Sequence, residues 1–264
     1  MSNQPASALL SVRDITVRFG GIVALDCVSF DVPRNKVCGL IGPNGAGKTT
    51  LFNCLSRLYS YQSGDLQFDG QSITNTPVHE MPRIGVGRTF QNLAMFKTMT
   101  VRQNVMVGAH SCSNKGFIGN MLKTPSSRLE EKRLTDDANA LMDYLKLSEY
   151  ADNIVGDLPF GIQKRVEFAR ALAAKPKMLL LDEPAAGLNH TEMNDLGTFI
   201  RSVRDDMGIT VLLVEHHMNL VMAVSDWIVV LNFGKKIAEG TPEEIQQHPE
   251  VIRAYLGDGD REAA

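Results

Sequence analysis

The run Gly42-Pro-Asn-Gly-Ala-Gly-Lys48-Thr49-Thr50 constrains this chain more than any other stretch. Two glycines bracket four residues and are followed by Lys-Thr, the spacing of a phosphate-binding loop. Such a loop has to join a buried strand to a helix, and the flanks comply. Val37-Cys-Gly-Leu-Ile41 reads as a short strand, and Lys48 to Leu58 as a helix with Leu51, Cys54, Leu55 and Leu58 on one face. Glycines let the backbone curl so that successive N–H groups of Gly42, Pro43-flanked Asn44, Gly45, Ala46 and Gly47 converge on an anion. The helix N-terminus adds positive potential at the same point. Lys48 is then placed for the β- and γ-phosphates of a nucleoside triphosphate, with Thr50 beside it and the Thr49 hydroxyl directed at Mg²⁺.

The rest of the chain sets bounds on this reading. Its 264 residues fit one large domain, and 44% hydrophobic content supplies a core. A net charge of −3 gives no field for nucleic acid or anionic lipid. The longest apolar runs, Val211-Leu-Leu-Val214 and Trp227-Ile-Val-Val-Leu231, are strand-length and far short of the ~18 residues of a membrane span. The opening Met-Ser-Asn-Gln-Pro-Ala-Ser lacks the basic start of a secretion signal. Cys27, Cys38, Cys54 and Cys112 are scattered, with no metal-type spacing; three lie in apolar contexts and point to buried thiols under reducing conditions.

Along the chain, Leu9–Val17 and Val28–Val32 read as strands, as do Asp65–Phe68 and Ser72-Ile73 around an Asp69-Gly70 hairpin. This front portion is expected to form an antiparallel patch. The pattern turns helical over 92–170. Thr100-Val-Arg-Gln103 has the form of a capping box, and Leu129–Leu147 is amphipathic. Helix Gly161–Ala174, strand Lys177–Leu181, helix Thr191–Asp206, strand Thr210–Val214, helix Met218–Ala223 and strand Trp227–Asn232 then alternate, which implies a mostly parallel sheet. Thr241-Pro-Glu-Glu244 and Pro249 open short helices within 241–257, and 258–264 reads as a frayed tail. The expected fold is α/β: a phosphate-loop NTPase core with an antiparallel β subdomain and an inserted helical subdomain, all within one domain, 1–264.

A second constellation lies on the strand Lys177-Met-Leu-Leu-Leu181, which ends in Asp182-Glu183-Pro184. Asp182 stands at the carboxyl end of a buried parallel strand, where open α/β sheets bind ligands, and is expected to hold Mg²⁺. Glu183 follows and can take a proton from an attacking water.

The order of phosphate loop, Thr89-Phe90-Gln91, Leu158-Pro-Phe-Gly161-Ile-Gln-Lys-Arg165, Leu181-Asp-Glu-Pro184, Gly187-Leu-Asn189 and Val214-Glu-His216 resembles the ATP-binding cassette ATPases over essentially the whole chain. The resemblance implies ATP and Mg²⁺ as cofactors. It implies that Phe19 stacks on adenine, that Gln91 senses the γ-phosphate and Mg²⁺ and links the site to the helical part, and that His216 is a switch histidine. His217 reads as structural. Arg18-Phe-Gly-Gly21, Glu215-His-His-Met218, Val251-Ile-Arg-Ala-Tyr-Leu-Gly257 and the insertion Gly116–Pro125 are similar to importers of branched-chain and hydrophobic amino acids. That resemblance implies a second ATPase subunit, a paralogue closing head-to-tail, two membrane permeases touched near Met95-Phe96, an indirect solute-binding protein, and a place on the cytoplasmic face of the membrane. An exporter of lipid-linked glycans and a non-transport cassette ATPase are the alternatives. The family signature Leu-Ser-Gly-Gly-Gln departs here: Pro159 replaces serine, Phe160 follows, Gly161 is kept and Ile162 replaces glutamine. Asn189 stands where many members carry Asp. Pro159 removes both a hydroxyl and an N–H, while the helix behind it keeps its dipole.

Overall fold

A computed structural model describes residues 8–89, 95–110 and 125–256. In chain order its regular elements are β1 (Ala8–Phe19), β2 (Ile22–Pro33), β3 (Val37–Ile41), α1 (Lys48–Leu55), β4 (Ser63–Phe68), β5 (Gln71–Ser72), α2 (Met81–Ile84), β6 (Val86–Arg88), α3 (Val101–His110) and α4 (Pro125–Tyr144). They continue with α5 (Phe160–Ala173), β7 (Met178–Asp182), α6 (His190–Met207), β8 (Thr210–Val214), α7 (Met218–Val224), β9 (Trp227–Asn232), β10 (Lys235–Gly240), α8 (Pro242–Gln247) and α9 (Pro249–Leu256). Two compact units result. One runs to Met81 and resumes at Leu180, and the other is Pro82–Leu179.

The first unit holds the phosphate loop. β3 lies between β8 and β9 and pairs parallel with both, while β10 pairs antiparallel with β9. Every residue of β3 and β8 is buried, as strands covered on both faces require. A separate antiparallel sheet has the order β2-β1-β4-β5. The Asp69-Gly70 turn forms as the dipeptide predicts, with both residues at positive φ (52° and 78°). β1 and β2 are longer than the hydrophobic pattern suggests and meet at a two-glycine turn between Phe19 and Ile22. The register slips along this pair, with Asp14 and Cys27 at positive φ, which masks the alternation in the sequence. β10 also escaped the sequence pattern, because Lys235 and Lys236 open it.

One sequence expectation fails here. α1 stops at Leu55, and Leu58 is 47% exposed instead of continuing the apolar face. Arg57 takes a left-handed φ of 62°, which ends the helix before Leu58 can join it.

The second unit is mostly helical. α3 starts at the Thr100 capping box: Gln103 N donates to Thr100 Oγ1 at 3.2 Å, and Thr100 N donates to Gln103 Oε1 at 2.9 Å. α3 packs against α5 and α4. The approach to α5 is tight, since a Cβ on Gly108 would lie 2.0 Å from the Arg170 carbonyl oxygen. Asn104 is fully buried and clamps the turn ahead of α3. Its amide donates to the Phe96 and Thr100 carbonyls (3.1 and 3.0 Å), and its Oδ1 accepts from Phe96 N at 3.0 Å. Phe96 is left 47% exposed by this clamp, whereas Met95 turns into the core.

Candidate active site

The phosphate loop leaves β3 at Ile41 and enters α1 at Lys48. Its shape demands glycine at two positions. Gly42 has φ 152°, and a Cβ there would meet the Leu231 carbonyl oxygen at 2.1 Å. Gly47, at φ 99°, would meet the Ala24 carbonyl oxygen at 2.7 Å. The loop is strapped from outside as well. Gly234 N donates to Ala46 O at 3.0 Å, and Asp26 N donates to Gly234 O at 2.9 Å. Pro43 and Ala46 face inward, while Asn44, Gly45 and Thr49 are exposed and Thr50 is half-buried.

Lys48 Nζ donates to the Gly42 and Pro43 carbonyls at 2.6 and 2.9 Å. An ammonium has three donors, so these two bonds position the charge and leave one N–H for an anion. Burial pulls its pKa below the ordinary value, and the negative charge of Glu183 opposes that shift. Glu183 is therefore within electrostatic reach of Lys48, as a shared site requires.

Asp182 closes β7 and is 5% exposed. Glu183 steps off the sheet with φ 46°, and its N–H donates to Val214 O at 2.8 Å. A non-glycine residue in that conformation costs about 1–3 kcal/mol and is held by its surroundings. His216 follows β8, with a side chain 54% exposed. The ring of His217 tilts against it at 4.2 Å between centroids. Phe19, at the end of β1, is 49% exposed and meets Tyr59 edge-on at 5.7 Å. Tyr255 on α9 comes close enough for a hydrogen bond with the Gly42 backbone, although burial still pushes its phenol up to about 12.

Pro159 caps α5 without a side-chain bond, and its carbonyl accepts from Ile162 and Gln163 N (3.0 Å each). Gly161 lies in the first turn of α5, and Phe160 is 44% exposed. Gln91 falls outside the described residues, as do most of the Gly116–Pro125 insertion and Cys112. Asn189 caps α6. Its Oδ1 accepts from Glu192 N at 3.0 Å, and Glu192 returns a bond to Asn189 N at 2.9 Å. One residue of weight was passed over in the sequence. Glu215 appears there only as a spacer before His216, yet its side chain is fully buried and bonded on all sides. An acid directly after the apolar run Val211–Val214 was the available signal.

Residues 25–186 match the ABC transporter family. The chain belongs to that family. Residues 235–261 also match a branched-chain amino acid ATP-binding cassette transporter family. The chain is 45% identical to the high-affinity branched-chain amino acid transport ATP-binding protein BraF of Pseudomonas aeruginosa, over 95% of this chain and 98% of the relative. It is 42% identical to LivG of Escherichia coli, with the same coverage. Among solved structures, an ATP-binding cassette of an ABC transporter in its ADP conformation superposes with TM-score 0.82 at 32% identity, covering 95% of this chain and 99% of that one. A nucleotide-free cassette gives TM-score 0.81 at 32% identity, covering 94% and 99%. The α/β cassette fold expected from the sequence is thus the fold found, and the chain is an ATP-hydrolysing subunit of an ABC transporter. No helix among the described residues is long and apolar enough to cross a membrane.

Proposed function

We propose that this chain powers an importer of branched-chain amino acids. The observation that carries the reading is the pairing of a complete phosphate loop and Glu183 turn with a C-terminal segment, 235–261, of the branched-chain type. The names of its 42–45% identical relatives support the same solute class. Nothing in the comparisons favours a glycan exporter or a non-transport cassette.

In this reading Lys48 and the N–H groups of the 42–47 loop hold the β- and γ-phosphates of ATP, and Phe19 stacks on adenine. Thr49, Asp182 and Gln91 are the groups that would hold Mg²⁺. The exposed Thr49 hydroxyl at the head of α1 and the sheltered Asp182 carboxylate are oxygen donors of the type this cation takes. The ion supplies charge neutralisation at the phosphates. Glu183 orients the attacking water and takes its proton, and His216 contacts the γ-phosphate. Gly161 and the head of α5 serve the nucleotide of a second, paralogous ATPase subunit. Phe96, displayed by Asn104, meets a permease. The assembly, two ATPases and two permeases fed by a solute-binding protein, works at the cytoplasmic face of the membrane.

Uptake of labelled leucine by vesicles containing the assembled transporter tests this. Glu183→Gln keeps the side-chain shape but cannot accept a proton, so ATP turnover should fall about 10²–10⁴-fold. Leucine uptake should vanish with it while ATP still binds. Wild-type hydrolysis in that variant would remove Glu183 from the role of base. ATP-driven uptake of some other solute, with none of leucine, isoleucine or valine, would overturn the importer assignment.

A further inference from the structure

Glu215 is a buried, heavily engaged side chain of the first unit that the catalytic reading leaves without a task. Its side chain has no exposure to solvent. Oε1 accepts from Ala185 N at 2.8 Å. Oε2 accepts from His216 N at 2.9 Å and His217 N at 3.1 Å, and lies 3.0 Å from His217 Nδ1. One carboxylate thereby ties two turns that are 30 residues apart in sequence. The first turn carries Glu183, and the second carries His216.

The imidazole nitrogens and this carboxylate also cluster as metal ligands would, within 4.8 Å of one another. The hydrogen bonds argue against that use. Oε2 already faces two backbone N–H groups and an imidazole nitrogen, so no lone pair is left for an ion. The chemistry is that of an anionic acceptor satisfied by converging donors, which is a strong and geometrically exacting arrangement.

We propose that Glu215 is a positioning residue: it locks the Glu183 turn to the His216–His217 turn, so that base and switch histidine hold one geometry or leave it together. This rests on the ATPase reading of Glu183 and His216. The strain at Glu183 explains why a lock is needed. A left-handed glutamate relaxes unless neighbours hold it. Val214 O holds its N–H, and Glu215 holds the Ala185 N–H two residues on. His217 has a role in this scheme too. Its Nδ1 fills the remaining direction on Oε2, which fixes the plane of the carboxylate.

Only an acceptor on both oxygens works here. Glu215→Gln puts an NH₂ group against either Ala185 N–H or the two histidine N–H groups, donor against donor. In the assembled transporter this variant should lose about a hundredfold in kcat, the scale of a misplaced reacting group. KM for ATP and the affinity for a fluorescent ATP analogue should stay within about threefold, because the 42–48 loop is untouched. His217→Asn, whose amide N–H can still reach Oε2, should stay close to wild type. His217→Phe removes that donor and should lower kcat without changing nucleotide affinity. If Glu215→Gln fails to fold, the two His217 variants decide the matter. Wild-type kcat in a folded Glu215→Gln, or indistinguishable kcat in His217→Asn and His217→Phe, would overturn the proposal. So would parallel losses of kcat and nucleotide affinity, which a general loosening of the site produces. Absence of ATP hydrolysis by the wild-type transporter would instead sink the reading on which the proposal stands.

Discussion

Asn189 shows how a departure from a family pattern is explained one residue at a time. The resemblance in sequence leads one to expect Asp there, and the structure shows what Asn does in its place: the side chain caps α6 in a reciprocal box with Glu192. Asn and Asp rank together as N-caps, so the exchange keeps the bond. Asn189→Asp should leave the urea midpoint unchanged, whereas Asn189→Ala should lower stability by about 1 kcal/mol. Equal midpoints for all three proteins would deny the cap any weight. The Gly42–Thr49 motif was legible from its spacing alone, although the carbonyls that exclude a side chain at Gly42 and Gly47, those of Leu231 and Ala24, are distant in sequence. Glu215 was not legible, since its partners at Ala185, His216 and His217 meet it only after β7 and β8 are laid side by side.

At the scale of elements, pattern reading succeeded wherever one face is buried and the ends carry caps. α3 and α8 both begin at their expected boxes, Thr100 with Gln103 and Thr241 with Glu244. It failed where a single backbone conformation overrides the pattern, as Arg57 does after α1, and where an edge strand such as β10 opens with charged residues. In the proposed function the head of α5 serves the nucleotide of a second ATPase subunit. Pro159 is its N-cap but offers no side-chain acceptor, and its carbonyl already takes the Ile162 and Gln163 N–H groups. The Gly161 N–H and the helix dipole remain for an anion. A serine at this point adds a hydroxyl donor, and hydrogen bonds to charged groups contribute about 1.5–3 kcal/mol. In a reconstituted heterodimer, Pro159→Ser should therefore raise nucleotide–vanadate trapping at the partner's site and leave trapping over this chain's own Glu183 unchanged. Unaltered trapping at both sites would show that the missing hydroxyl has no consequence here.

For the molecule as a whole, the buried acids set an alkaline limit. Burial pushes Cys38 from 9.0 to about 12 and Cys54 from 9.0 to about 11. Both thiols stay protonated in the folded state while the unfolded chain ionises above about pH 9. The unfolded state then holds fewer protons, so stability falls as pH rises from about 9 toward 11, by up to about 1.4 kcal/mol per pH unit for each thiol. Below about pH 8 neither thiol contributes appreciable slope. Urea midpoints across pH 8–10.5 should show this fall, and a Cys38→Ala/Cys54→Ala protein should show a shallower one. Identical slopes would assign the alkaline limit to other groups. Long-range assembly is also where the sequence was least informative about the site, because the loop that carries Lys48 is shaped by residues far away from it. The strap from Gly234 to Ala46, and from Asp26 to Gly234, has a consequence for the order in which the chain is made. A ribosome finishes the entire Gly42–Thr50 motif early, yet the piece that closes over it emerges nearly two hundred residues afterwards. A nascent chain halted before Trp227 carries the full motif and should retain no nucleotide on an ATP resin, while one released after Gly240 should. On this expectation, nucleotide capture begins only once the Trp227–Gly240 segment has folded over the loop.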